Sequence, residues 1–142
     1  MLQSIANLVR RYRKAVLFLQ EVTPEMASVL SSRYKTSIAQ GENMIIAPPS
    51  YQLREHGEFQ FGPRSFLIAD VGNSQISVRC ATGKLPNGVV SYTRRKVLES
   101  LLALHHMDTS LLAIDTNFLF PFEKKIFAQL LEQYGFSATS HA

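Results

Sequence analysis

Cys80 is the one cysteine among 142 residues, and so the one thiol that could act as a nucleophile. A catalytic thiol needs a base in reach and access to solvent. Along Gln75 to Ala81, Cys80 alternates with Ile76 and Val78, while Gln75, Ser77 and Arg79 take the other face. That pattern turns the sulfur into a core, where cysteine behaves as a small hydrophobe. With a single cysteine no intrachain disulfide forms, and cysteine usage gives no sign of an oxidising compartment.

The four histidines do not gather. His105 and His106 are adjacent, and helical neighbours diverge by about 100°, whereas two ligands of one metal on a helix want a spacing of three or four. His56 sits at a turn signal and His141 in the C-terminal tail. No metal and no cofactor is expected. Asp70 and Asp115 stand near strand ends, where catalytic carboxylates often sit. Both also lie beside turn residues, Gly72-Asn73 and Thr116-Asn117, where aspartate serves its own backbone. Gly83-Lys84 looks like the end of a phosphate-binding loop, but Leu85 stands where Ser or Thr is needed and no glycine lies five residues earlier. No residue is therefore singled out as catalytic.

The basic residues are distributed unevenly. Arg10, Arg11, Arg13 and Lys14 account for the whole formal charge of +4, because the remaining bases balance the 11 acids. A local basic patch invites an anionic partner more than an even spread does. The cluster Arg94, Arg95 and Lys96 falls in the first turn of a helix, the end that is already positive, which hints at an anion or acidic partner there. Tyr12, the aromatic inside the first patch, falls on an apolar seam, away from base stacking.

These residues must be positioned by elements. Leu2, Ile5, Val9, Tyr12, Val16 and Leu19 are spaced 3, 4, 3, 4, 3, which predicts a helix from about Leu2 to Gln20 whose seam packs along another helix. Pairing of two copies through that seam, a homodimer, is the expectation. Thr23-Pro24-Glu25 starts a second helix ending near Tyr34 to Ser37. Met44–Ala47 reads as a strand, Tyr51–Phe61 as a hairpin turning at His56-Gly57, and Phe66–Val71 and Gln75–Ala81 as strands. Gly83 to Gly88 reads as a loop. A third helix spans Thr93 to His106, Ser110–Ile114 is a last strand, and Pro121–Tyr134 is a fourth helix stopped by Gly135.

The order ααββββαβα predicts an α+β fold: a mainly antiparallel sheet of about four to five strands with N-terminal and C-terminal helices packed on it. One domain is expected over residues 1–136, with an N-terminal helical part at 1–38, a sheet at 43–92, a C-terminal helical part at 93–136 and a flexible tail at 137–142. No apolar run reaches the ~20 residues of a membrane span, no export signal is read, and a cytoplasmic location is the default.

The function these features suggest is a non-catalytic regulatory or adaptor protein. Arg10, Arg11, Arg13, Lys14, Arg94, Arg95 and Lys96 would meet the acidic surface of a protein partner. Two alternatives stand beside it: a regulator that binds nucleic acid, and a small-ligand-binding domain or enzyme. The latter would have a pocket between sheet and helices walled by Phe118, Phe120 and Phe122.

Overall fold

Thr23 starts a helix as its sequence demands: its hydroxyl accepts from the Met26 amide at 3.2 Å, and Pro24 occupies the first helical position. At the other end of the chain the amides of Gly135 and Phe136 reach back to the carbonyls of Glu132 and Leu131, and Gly135 takes a φ of 81°, a conformation glycine adopts without penalty. Between these caps the computed structural model describes residues 2–61, 64–86, 91–105, 109–117 and 121–137. Among them the order is α1 (Leu2–Arg11), β1 (Leu17–Leu19), α2 (Pro24–Arg33), β2 (Ser37–Gln40), β3 (Asn43–Ile46), β4 (Gln52–Phe61), β5 (Arg64–Gly72), β6 (Ser77–Lys84), α3 (Ser91–His105), β7 (Thr109–Asp115) and α4 (Pro121–Gln133).

The fold is α+β with helices at both ends, and its strands are mostly antiparallel, in two sheets. One sheet has the order β1-β3-β2, the other β4-β5-β6-β7. Among the described residues only β6 and β7 run parallel, which requires a crossover, supplied by α3. The two sheets face each other across Ile45, Leu67, Ala69, Val71 and Cys80. Ile5, Val22, Leu30, Met44 and Ile46 fill the space between the first sheet and α1 and α2. Phe66, Ile68, Leu98, Leu101 and Phe127 do the same between the second sheet and α3 and α4. The layers therefore run helix, sheet, sheet, helix.

Three expectations are corrected. The first helix does not reach Gln20: it stops at Arg11, turns through residues 12–15, and the chain continues as β1, with Leu17 opposite Ile46 and Leu19 opposite Met44. A short apolar run such as Val16–Leu19 fits a strand and a buried helix equally, and pairing with β3 decides it. The seam Leu2, Ile5, Val9, Tyr12, Val16, Leu19 is therefore not one helical face, and the homodimer expected along it loses its basis. Second, Tyr51–Phe61 is not a hairpin. It is the single strand β4, and the His56-Gly57 signal marks a register shift between Glu55 and Gly57 opposite β5, a bulge rather than a reversal. Third, the chain from Gly83 onward is not all loop, because β6 runs to Lys84. No described helix is long and apolar enough to cross a membrane.

Candidate active site

Gln20 follows β1 directly, and its side chain ties the two sheets together at one end of the sandwich. Gln20 Nε2 donates to Thr82 Oγ1 at 2.8 Å and to the Ala113 carbonyl at 3.1 Å, while Thr82 Oγ1 donates to the same carbonyl at 2.8 Å. This clasp places the next residue, Glu21, over the ends of β6 and β7. Strand alternation puts Lys84 on the face of Thr82. Lys84 Nζ reaches Glu21 Oε1 at 2.6 Å. Asp115 is the register partner of Lys84 on β7. The Leu85 amide donates to the Asp115 carbonyl at 2.8 Å, the Asn117 amide donates to Asp115 Oδ1 at 3.1 Å, and Asn117 Nδ2 donates to the Leu85 carbonyl at 2.6 Å. Glu21, Lys84, Asp115 and Asn117 are thus gathered at the carboxyl ends of three strands from both sheets.

The electrostatics follow from that gathering. The hydrogen bond from Lys84 and its charge hold the Glu21 carboxyl below the ordinary carboxylate value, and the charge of Arg64, at the start of β5, adds to this. Glu21 is itself exposed, so the carboxylate is offered to solvent rather than consumed in the core. Its backbone takes a φ of 59°, and Asn117 takes 53°; these are the two non-glycine residues with positive φ among those described. Left-handed backbone at a residue such as glutamate costs on the order of 1 kcal/mol and collects at functional sites.

The other sequence candidates are scattered. Arg94 is fully buried, bound to both carboxylate oxygens of Glu123 at 2.7 and 2.5 Å, so it does not meet a partner; Arg95 is exposed and pairs with Glu99 at 3.2 Å, and Lys96 is exposed. Arg10, Arg11, Arg13 and Lys14 are exposed around the end of α1. Phe122 is exposed, and Phe118 and Phe120 lie outside the described residues, so the aromatic pocket is not built from what is described. Cys80 is buried as expected, but the alternation behind that expectation does not hold, since Ile76 and Val78 are exposed and Cys80 through Gly83 are buried in succession. Burial followed by the charge of Asp70 pushes the thiol up to about 11. Asp70 is no turn residue: it sits within β5 and pairs with Arg79 at 3.0 Å. His56 is exposed on β4, while His106, His141 and the side chain of His105 lie outside the described residues. Among those residues no three of His, Cys, Asp and Glu cluster in the manner of a metal site.

Sequence reading noticed Asp115 but missed Glu21 and set Lys84 aside. The signal was there: an apolar β-forming run ending in Gln20-Glu21 directly before the helix cap Thr23 places an acid at a strand's carboxyl end.

No family model and no curated protein matches the chain. Solved structures do. A D. rerio TDP2 humanized by 14 mutations superposes with a TM-score of 0.71 at 22% identity, covering 96% of this chain and 63% of that one. The fold resembles part of that of TDP2. D. rerio TDP2 in complex with a single-strand DNA product gives 0.68 at 21% identity, covering 94% and 62%. ANGEL2, a 2′,3′-cyclic phosphatase in complex with adenosine-2′,3′-vanadate, gives 0.54 at 18%, covering 84% and 44%. The chain thus spans less than two thirds of the TDP2 chains it superposes on. These likenesses correct the expectation of a non-catalytic regulatory adaptor: one TDP2 structure holds a single-strand DNA product and ANGEL2 is a 2′,3′-cyclic phosphatase, and what this chain shares with them is the fold. The alternatives of an enzyme or a nucleic-acid binder accord better with it.

Proposed function

We propose that the chain carries a phosphoesterase site, built from Glu21, Lys84, Asp115 and Asn117, that acts on a phosphate ester of nucleic acid. The observation that carries this reading is the convergence of two carboxylates and an ammonium at the carboxyl ends of β1, β6 and β7, with strained backbone at Glu21 and Asn117. The TDP2 and ANGEL2 likenesses support the choice of chemistry.

Hydrolysis of a phosphate ester asks for an oriented water and for stabilisation of charge on the phosphoryl oxygens. Lys84 supplies the second: its ammonium shifts part of its attention from Glu21 to a non-bridging oxygen as negative charge grows there. Asp115 accepts a hydrogen bond from the attacking water and orients it toward phosphorus. Asn117 holds the turn that presents Asp115, through its two hydrogen bonds to Asp115 and Leu85. Arg64 adds positive potential, so an anionic substrate meets a site that is not repelled by its own carboxylates. Glu21 and Asp115 are hard oxygen donors of the kind that hold a divalent cation with several of its waters retained, and such a cation would add Lewis-acid stabilisation of the phosphoryl group.

The test is turnover of a short oligonucleotide bearing a terminal p-nitrophenyl phosphodiester, followed by release of the coloured phenolate. Turnover by the wild type, lowered by about 10² or more in Asp115→Asn and in Lys84→Ala, is the expected result. Equal rates in wild type and both variants would sink the assignment.

A further inference from the structure

At the end of the sandwich opposite Glu21, the chain leaves α1 through residues 12–15 and enters β1. A groove of about 490 Å³ runs there between this turn, the α2–β2 connection and the residues after β3. Its floor is apolar, with Val9, Leu17, Ile46 and Pro48. Its rim carries Arg13, Arg33 and Lys35 and the rings of Tyr12 and Tyr34, and no acidic residue lines it. A shallower hollow shares Tyr12, Arg13 and Ala15 with it and extends the basic rim to Arg10, Arg11 and Lys14.

Arg11, Arg13, Lys14, Arg33 and Lys35 form no ion pair with any described residue, and all five are exposed. Unpaired like charges held this close raise the local potential and favour a polyanion. The aromatic rings narrow the choice. The Arg11 guanidinium lies 5.3 Å from the Tyr12 ring centre and that of Arg33 lies 5.7 Å from the Tyr34 ring centre. Tyr12 was expected on a helix seam, but it lies beyond the end of α1 with 49% of its surface exposed. Guanidinium beside an available ring matches the repeating unit of a single strand, phosphate against cation and base against ring. A duplex hides its base faces, and an acidic peptide satisfies the cations without using the rings.

We propose that this groove is a single-strand nucleic-acid binding site, separate from the carboxylate site. Strand β1, Leu17–Leu19, runs between the two, with the groove before it and Glu21 after it. The groove identifies its ligand without reference to the phosphoesterase reading, and the test keeps the two apart.

Binding of a fluorescent oligothymidylate of about 12 nucleotides is measured by anisotropy for the wild type, for Arg13→Glu/Arg33→Glu/Lys35→Glu, for Tyr12→Ser, and for Glu21→Gln/Asp115→Asn. All the substituted residues are exposed, and circular dichroism checks each fold. The triple charge reversal should weaken binding by at least about tenfold and make the dependence of log affinity on log salt shallower by roughly 2, for three lost phosphate contacts. Tyr12→Ser should weaken it several-fold with the salt slope unchanged. The carboxylate variant should bind as the wild type does, or more tightly. Wild-type affinity in the charge-reversed protein overturns the groove, whatever the site at the other end does. So does wild-type affinity in Tyr12→Ser combined with equal displacement of the oligonucleotide by poly-glutamate, which would make the surface a general acid-binding patch. Loss of binding in the carboxylate variant alone would place the strand at the carboxylate site instead.

Discussion

Glu21 binds Lys84 through a carboxylate that stays ionised to lower pH than an unconstrained one. Its folded value is depressed, so the Lys84–Glu21 contact is fully present above the ordinary carboxylate value of 4.5 and is lost only as pH falls through the lowered folded value. Removing the cation removes the cause. In Lys84→Ala the Glu21 carboxyl should titrate closer to 4.5, measured by carbon-detected NMR of the side-chain carboxyl, and an unchanged midpoint would assign the effect elsewhere. Cys80 carries the opposite sign. With its thiol pushed up to about 11 and 2% of its surface exposed, it should resist maleimide at pH 8 in the native protein and react at once in denaturant. The alternation was not kept, because Ile76 and Val78 lie at the exposed approach to β6 and the strand enters the core only from Cys80 onward, yet the burial of Cys80 was legible. Glu21 was not, because its position depends on where a strand stops, and the helical spacing of Leu2 to Leu19 concealed that strand.

Between elements, two contacts carry more than their share. The buried Arg94–Glu123 pair joins the first turn of α3 to the first turn of α4, and Arg94 also donates to the Pro86 carbonyl at 3.4 Å, just past the Lys84 strand end. Removing one partner strands a charge in the core. Glu123→Ala should therefore cost about 3–5 kcal/mol in urea unfolding, while Arg94→Met/Glu123→Leu should recover most of it, because apolar replacements of both partners remove the desolvation cost. A double variant no more stable than the single one would refute this. Gly83 is the second. Its backbone lies against the buried ring of Phe66 on β5, and a Cβ there would meet Phe66 Cδ1 inside contact distance. Gly83→Ala should cost about 1–3 kcal/mol by overpacking, read as a lowered urea midpoint with an unchanged slope. From the sequence, Arg94 looked like a surface charge at the wrong end of a helix. The unfavourable placement was real, and its compensation is an acid 29 residues away that no local pattern could reveal.

Across the whole molecule, the strands are shared between cores. β3 sends Ile45 between the sheets and Met44 and Ile46 toward α1 and α2; β5 sends Leu67 and Ala69 between the sheets and Phe66 and Ile68 toward α3 and α4. No layer can come away without exposing another's apolar face, so calorimetry should show one transition whose van't Hoff and calorimetric enthalpies agree. Two separate transitions would mean that the sheets unfold independently. The α+β class, the caps at Thr23 and Gly135 and the strands β5 to β7 could be read from periodicity and turn chemistry, whereas the third helix starts at Ser91, two residues before the expected Thr93. The division into two sheets could not, because β1 and β2 are three and four residues long and are recognised only through pairing with β3.

The clasp at Gln20 also sets an order of events during synthesis. Gln20 and Ala113 are 93 residues apart in the chain. At about 5–20 residues per second, the ribosome delivers β7 roughly 5 to 20 s after β1. Through that interval Leu17–Leu19 has β3 to pair with, since Met44–Ile46 follows closely, but Glu21 has neither Lys84 nor Asp115. The nascent chain thus covers its first apolar strand early and brings Glu21, Lys84 and Asp115 together late.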